Sequence, residues 1–255
     1  MNVGLILGKH VSEGLPGKNY MEILGRPMVE YALMAQTHSK FVDHVFVSTD
    51  SKDIKKITKN YNVDIIDRPQ HLASSDALAE DAIVHALNQI ETAHHNDVEI
   101  VSISFANAPQ ISVEMMDYGI QQMQNDPSLD SAFSVSEFNM FSPIRARIIT
   151  EEGLVKPYEE SIIDQSGHNS NRDSLEDTYF FDWSVQIMRK RVIDAMQNPG
   201  KSNITQSNPP FRHFGEKTLA MKNEFSFDID YHWQIPVAEY WLQENGFTKD
   251  ETPYD

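Results

Sequence analysis

Hydrophobic positions along the chain fall into two alternating patterns. Short continuous apolar runs read as strands buried on both faces, and longer runs with apolar residues at helical spacing read as amphipathic helices. Asn2–Leu7 is of the first kind and is predicted as the opening strand. Met28–His38 is of the second, with Met28, Tyr31, Ala32 and Ala35 on one face. The valine-rich segment Val42–Ser48 is a predicted strand, Asp53–Tyr61 a helix and Val63–Ile66 a short strand. Asp76–Thr92 places Leu78, Ala82, Ile83, Ala86, Leu87 and Ile90 on one helical face. Val98–Ser104 is the next strand, Ser112 caps the following helix with its hydroxyl, and Ala132–Val135 is a further strand. Strand–helix alternation of this kind predicts a three-layer α/β fold around a mainly parallel sheet.

The rhythm changes after about residue 137. Phe141 to Pro157 suggests a hairpin turning at Glu152-Gly153, and residues 159–177 are polar and rich in Asn, Ser and Asp. Tyr179–Ile187 is a predicted strand and Arg189–Gln197 a helix, with a loop from Asn198 to Pro210. Phe225–Ile229 is a predicted strand ending in carboxylates, and Trp233–Asn245 a closing helix stopped by Gly246. Residues 1–255 therefore form a single α/β domain, with a β-rich region inserted at about 138–187.

Composition narrows the function. The chain has 255 residues, with 21 Lys plus Arg against 38 Asp plus Glu, a formal net charge of −17. Phosphate backbones are bound by clustered Lys and Arg, so a chain this acidic is not expected to bind nucleic acid or an anionic membrane surface. There is no cysteine, which removes thiol nucleophiles, Cys-ligated zinc and disulfides and suits a cytoplasmic protein. No apolar run reaches membrane-spanning length.

Two segments carry candidate chemistry. The loop after the first strand reads Gly8-Lys9-His10-Val11-Ser12-Glu13-Gly14-Leu15-Pro16-Gly17-Lys18-Asn19. Its glycines let backbone N–H groups approach phosphate oxygens, and Lys9 and Lys18 add point charges. It is neither a P-loop nor a dinucleotide fingerprint, and a surface loop with two solvated lysines would look the same. The second segment is Phe227-Asp228-Ile229-Asp230. On a strand, residues i and i+2 share a face, so both carboxylates could serve one Mg²⁺. An exposed strand end in an acidic chain would also look like this.

Five segments taken in order sharpen this. Ser12-x-Gly14-Leu15-Pro16-x-Lys18-Asn19 is followed by Leu24-Gly25-Arg26-Pro27-Met28, then Val47-Ser48-Thr49-Asp50-Ser51. Arg68-Pro69-x-x-Leu72-Ala73-Ser74 comes next with Glu80-Asp81 and His85-Ala86-Leu87, and finally Asp228-Ile229-Asp230 with Ala238-Glu239. This ordered set resembles the acylneuraminate cytidylyltransferases, the CMP-sialic acid synthetases and their relatives for other nine-carbon 2-keto acids. It spans about residues 3–243.

The resemblance implies a Rossmann-like nucleotidyltransferase fold whose inserted region completes the neighbouring subunit's site in a homodimer. It implies that the anomeric hydroxyl of a 2-keto-3-deoxy sugar acid attacks the α-phosphate of CTP, giving a CMP-sugar and pyrophosphate. Carried over by residue, Lys18 holds the triphosphate as a catalytic cation, Asn19 contacts the nucleotide, and Gly8, Lys9, Ser12 and Gly14 line the phosphates. Arg68, Ser74 and Ser75 border the cytidine. Asn107, Arg145 and Arg172 belong to the acceptor side. Asp228 and Asp230 bind Mg²⁺, with Asp228 counted as catalytic.

Departures from the family pattern lie mostly away from the metal. The usual loop arginine and lysine are Lys9 and Glu13 here, and the usual Gln-Pro-Thr-Ser-Pro-Leu-Arg is Phe105-Ala106-Asn107-Ala108-Pro109-Gln110-Ile111. The Arg-Arg-Gln and Asn-Gly of the inserted region have as counterparts only Asn171-Arg172-Asp173 and Asp182-Trp183. The alternatives are an octulosonate (Kdo) cytidylyltransferase, another sugar nucleotidyltransferase, or a catalytically inactive relative that binds or assembles.

Overall fold

In the computed structural model, residues 1–11, 14–94, 97–158, 171, 176–197 and 211–254 are described. Strand β1 (Asn2–Leu7) is buried along its whole length, as its unbroken apolar run predicts. It lies mid-sheet between two parallel neighbours, β4 (His44–Thr49) and β6 (Ile100–Phe105). Beyond β4 runs β5 (Asp64–Asp67), also parallel. On the other side the order is β6, β10 (Tyr179–Arg189), β7 (Ser131–Glu137) and the edge strand β11 (Thr218–Asn223). β10 is antiparallel to both neighbours, while β11 and β7 pair in parallel. The seven-stranded sheet is thus mainly parallel.

Helices cover both faces. Side chains of α1 (Met28–His38) and α4 (Val113–Asn125), with Ile54 of α2 (Lys52–Ile57), bury against Ile6, Val45, Val47, Ile187 and Met221. On the opposite face, α3 (Ala79–His94) and α5 (Lys190–Gln197) pack on Leu5, Leu7, Phe46, Val101 and Met188. α6 (Gln234–Glu244) closes a third cluster, its Ala238, Trp241 and Leu242 resting on Met28, Tyr31 and Met34 of α1. Ser112 caps α4 as expected, its hydroxyl accepting from Met115 N at 3.1 Å. Gly246, at φ 85°, ends α6, where Phe247 N reaches back to Leu242 O at 2.9 Å.

Two small ribbons sit outside the main sheet. β2 (Glu22–Ile23) and β3 (Arg26–Pro27) pair tightly ahead of α1. β8 (Arg147–Ile149) and β9 (Val155–Pro157) form the expected hairpin, with Gly153 in its turn at φ 77°.

The structure revises two expectations. Tyr179–Arg189 does not belong to the inserted region: it runs inside the main sheet between β6 and β7, so the excursion proper ends before Tyr179. Phe225–Ile229 is not a strand. It is an irregular segment after β11, and β11 itself is not marked by the sequence pattern. β11 is an edge strand in which Met221 alone is buried, too little apolar pattern to mark it. The Phe-x-Phe alternation of Phe225–Phe227 instead has Phe225 exposed and Phe227 packing beside α6. Among the described residues no helix is long and apolar enough to cross a membrane.

Candidate active site

The carboxyl ends of β1, β5 and β6 meet at one edge of the sheet, the usual place for ligands in open α/β folds. A cavity of about 330 Å³ opens there. Lys9, Lys18, Asn19 and Arg68 stand on one side, Asn107, Asp228 and Asp230 on the other, and Ser75 at the rim. Leu7, Val11, Leu72, Leu78 and Phe105 give it an apolar lining.

The cationic wall is built by the loop after β1. Gly8 stands where a Cβ would lie 2.8 Å from Ile54 Cδ1 and 2.9 Å from Ala106 Cβ, so any side chain would push the loop off the sheet. Asn19 is buried and donates from Nδ2 to Lys9 O at 2.6 Å, which ties the loop's end to its beginning. Lys9 Nζ reaches Ser74 O at 3.1 Å. Gly14 packs a bare Cα against Asp230, where a Cβ would be 3.2 Å from the carbonyl. The loop thus touches the opposite wall directly. Lys18 completes the contact with an ion pair to the Asp230 carboxylate.

Arg68 follows β5 and is buried. Its Nη2 donates to Ser48 O at 2.7 Å and its Nε to Ser48 Oγ at 3.2 Å. Burial pulls its pKa down to about 10, opposed by the charge of Asp50. It remains a guanidinium at neutral pH.

The anionic wall has no strand to hold it and is fixed by amide side chains. Asn107 Nδ2 donates to Ile229 O at 3.2 Å and to Asp228 Oδ2 at 3.4 Å, while Ile229 N donates to Asn107 O at 2.7 Å. Gln234 accepts from the backbone N–H of Asp230 and Tyr231, both at 2.7 Å, and donates to Asp228 O at 3.1 Å. Gln110 Nε2 holds Phe225 O at 2.9 Å just upstream. Burial raises the Asp228 pKa, and the nearby Asp230 charge raises it further. Lys18 and the Asn107 hydrogen bond pull it back. Two mutually repelling carboxylates, one of them buried, form a site a cation would relieve.

The structure therefore gathers Lys9, Lys18, Asn19, Arg68, Ser75, Asn107, Asp228 and Asp230 around one cavity, with Gly8 and Gly14 shaping its loop. Ser74 lies beside it, its carbonyl engaged by Lys9. Arg145 is on the excursion, outside this cavity's lining. Ser12 and Arg172 lie outside the described residues. Sequence reading missed Gln234 and Gln110, which shape the carboxylate turn without facing the ligand space. It also missed the apolar lining of Phe105, Leu78 and Val11. Leu78 and Val11 are apolar and about half exposed, a combination that only a three-dimensional placement reveals.

A family model described as cytidylyltransferase matches residues 3–199. A Helicobacter pylori protein named pseudaminic acid cytidylyltransferase and UDP-2,4-diacetamido-2,4,6-trideoxy-beta-L-altropyranose hydrolase is 22% identical over 189 residues, covering 74% of this chain and 34% of that protein. The chain thus spans about a third of that relative's length. A Campylobacter coli protein named post-translational flagellin modification protein B is 24% identical over 242 residues, 92% of each chain. Among solved structures, a CMP:2-keto-3-deoxy-manno-octonic acid synthetase complexed with CTP superposes with a TM-score of 0.67 at 16% identity, covering 95% of this chain and 98% of the other. That likeness supports the Rossmann-like fold.

Proposed function

The chain belongs to the cytidylyltransferase family, and from that premise we propose that it couples CTP to a 2-keto-3-deoxy sugar acid of the sialic-acid type, giving a CMP-sugar and pyrophosphate. The observation that carries this reading is the single cavity in which Lys9, Lys18 and Arg68 confront Asp228 and Asp230. Phosphoryl transfer asks for positioning and charge neutralisation rather than a covalent nucleophile, and the cavity offers those.

The anomeric oxygen of the acceptor attacks the α-phosphorus of CTP. A new P–O bond forms, the bond to the β-phosphate oxygen breaks, and pyrophosphate leaves with that electron pair. The hydroxyl proton passes to solvent. Lys18 neutralises charge on the reacting phosphate, Lys9 and the loop N–H groups hold the remaining phosphates, and Asn19 keeps the loop closed. Arg68 and Ser75 border the nucleoside end.

Asp228 and Asp230 are the residues that would hold Mg²⁺. Two hard carboxylate oxygens, with further places left for phosphate and water, suit that ion, and its chemistry here would be neutralisation of the triphosphate. The raised Asp228 pKa, part of which comes from Asp230, is the observation that fits a cation.

The excursion at about 138–178 is our candidate for the contact of a homodimer. Met140, Phe141, Ile149, Leu154, Val155 and Tyr158 are all exposed on it, Ile149 at 79%. Apolar surface of this extent is usually covered in the working assembly. Arg145, outside its own chain's cavity, is our candidate to serve a partner's. Light scattering at micromolar concentration should give twice the chain mass, and a fully active monomer would refute this part.

The function itself is tested by pyrophosphate release over a panel of nucleoside triphosphates against nine-carbon keto acids, an eight-carbon octulosonate and sugar 1-phosphates. CTP with a nine-carbon acid should be the productive pair, and mass spectrometry should find the CMP-sugar in equal amount. Release only with the octulosonate moves the reading to the Kdo type. Release only with sugar 1-phosphates, or none at all, refutes it.

A further inference from the structure

Asp182 does not line the cavity, and the transfer described above makes no use of it. Its carboxylate is 1% exposed, and burying such a group is costly unless its oxygens are hydrogen-bonded. Here they are. The Ser134 hydroxyl and, at 3.1 Å, the Ser184 N–H donate to Oδ1, and the Ser136 hydroxyl donates to Oδ2 at 2.7 Å. β10 is deformed at this point. Its pairing with β7 breaks after Phe181 opposite Val135 and resumes at Gln186 opposite Phe133. Trp183, directly after Asp182, stands at φ 63°.

Among the described residues, the non-glycine positions with positive φ are Leu24, Trp183 and Phe225, the last at 48°. Leu24 lies in the turn between β2 and β3. The other two flank one run of hydrogen bonds. β11 ends at Asn223, opposite Ser136 of β7. The chain then leaves the sheet through Phe225, and Ser226 N comes back to donate to Ser136 Oγ at 3.2 Å. Ser226 is fully buried, and its own hydroxyl donates to Gln110 O at 3.2 Å. Asp228 follows two residues later. One line of contacts therefore runs from Asp182 Oδ2 through Ser136 Oγ to Ser226 N, at the root of the carboxylate turn.

A serine hydroxyl has one proton and two lone pairs. With its proton given to Asp182, Ser136 presents lone pairs to Ser226. The charge-assisted bond on one side of the oxygen strengthens the bond it accepts on the other. Left-handed backbone at bulky residues persists where the surroundings over-determine it, and it gathers at functional sites. Trp183 and Phe225 stand at the two ends of this line, each beside a residue that the line holds.

We propose that Asp182 is a positioning residue for the metal-binding carboxylates. Through Ser136 it fixes the backbone at Ser226, and so the point from which Asp228 and Asp230 reach a cation. Asn107 and Gln234 shape the turn, and Asp182 sets where the turn begins. The inference rests on the Mg²⁺ role proposed above for Asp228 and Asp230.

The test titrates Mn²⁺, an oxygen-liganded stand-in for Mg²⁺, into the protein–CTP complex without acceptor. Water-proton relaxation separates Mn²⁺ on the protein from Mn²⁺ on free nucleotide. The proteins are the wild type, Ser136→Ala, Asp182→Asn and Ser131→Ala. Asp182→Asn keeps the shape and an oxygen for Ser134 and Ser184 N, and turns an N–H towards Ser136 in place of an acceptor. Ser136→Ala and Asp182→Asn should each weaken Mn²⁺ binding about tenfold, the low end for groups that orient metal ligands, and should recover kcat at saturating Mg²⁺. Ser131→Ala removes a buried hydroxyl from the same strand, one bonded to Phe214 O and Thr218 Oγ1 and outside the line of contacts. It should lower Tm and leave Mn²⁺ affinity unchanged. If Ser136→Ala does not fold, Asp182→Asn decides. Unchanged Mn²⁺ affinity in Asp182→Asn overturns the proposal while the metal reading stands, because the wild type still binds the ion. An equal loss of affinity in Ser131→Ala also overturns it, by tracing the effect to lost stability alone. A wild type that binds no Mn²⁺ removes the metal reading and this inference with it.

Discussion

The two walls of the cavity carry opposite charge and are held by different physics. The cationic wall hangs from the ends of parallel strands, and its key position, Gly8, is wedged between Ile54 and Ala106 with no room for a side chain. The anionic wall belongs to no strand. Asp228 and Asp230 sit on irregular chain whose course is set by Asn107, Gln110 and Gln234. One wall is placed by close packing on the sheet, which resists small movements. The other is placed by a few amide hydrogen bonds, each worth about 1 kcal/mol net. The cavity's charge therefore stands on a stiff support on one side and an adjustable one on the other, bridged by the Lys18–Asp230 ion pair.

The largest expected effect removes the anionic wall's charge. Asp228→Ala or Asp228→Asn should lower pyrophosphate release by at least about 100-fold, the usual scale for losing one preorganised electrostatic group. Circular dichroism should stay unchanged, because Asp228's backbone carbonyl is held by Gln234 whatever its side chain. EDTA should match the effect in the wild type. Activity surviving both treatments would remove Mg²⁺ from the account.

Gln234→Leu tests the adjustable support without touching charge. It abolishes three hydrogen bonds to the carboxylate turn. Groups that orient metal ligands typically change metal affinity by about 10–100-fold when lost. The variant should need roughly that much more Mg²⁺ for half-maximal rate and should recover most activity at saturating Mg²⁺. A variant with unaltered Mg²⁺ dependence would mean that the turn holds its shape without Gln234.

Gly8→Ala breaks the stiff support. The new Cβ would meet Ile54 Cδ1 at 2.8 Å and Ala106 Cβ at 2.9 Å. Overpacking of this kind costs about 1–3 kcal/mol, which at this chain length lowers Tm by several degrees. Thermal denaturation at neutral pH reads it directly. Gly14→Ala, facing only the Asp230 carbonyl at 3.2 Å, should cost less.

The same contrast explains what could be read from the sequence. α1 is predicted over Met28–His38, the span it occupies, because its apolar residues recur at one period and contact a single face. Ser112 and Gly246 mark helix ends by local chemistry that needs no tertiary partner. Lys18, Asp228 and Asp230 were legible through an ordered resemblance. Gln234 and Gln110 were not, because an amide that clamps a distant backbone leaves no periodicity. Nor was the strand Thr218–Asn223, whose pairing with β7 at the sheet edge supplies the order that its own pattern lacks. Elements defined by packing against a continuous face were visible, and those defined by a few long-range hydrogen bonds were hidden.

The smallest effect concerns stability and pH. Asp228 has a folded-state pKa above the ordinary aspartate value, chiefly through burial and then through Asp230. At pH values below the ordinary one, both folded and unfolded chains hold the proton and the raised pKa costs nothing. As pH rises between the ordinary and the raised value, the unfolded chain ionises first, the folded chain binds more protons, and stability falls. Above the raised value the loss is complete and constant. Asp228→Asn carries no such charge, so without Mg²⁺ it should melt higher than the wild type at neutral pH. The gap should close as pH is lowered through the acid window. Mg²⁺ with CTP should also narrow it, by stabilising the wild type alone. Calorimetry of both proteins from acid to neutral pH decides the matter: an asparagine variant that melts no higher than the wild type at neutral pH would mean that the Asp228 charge is already well compensated by Lys18 and Asn107.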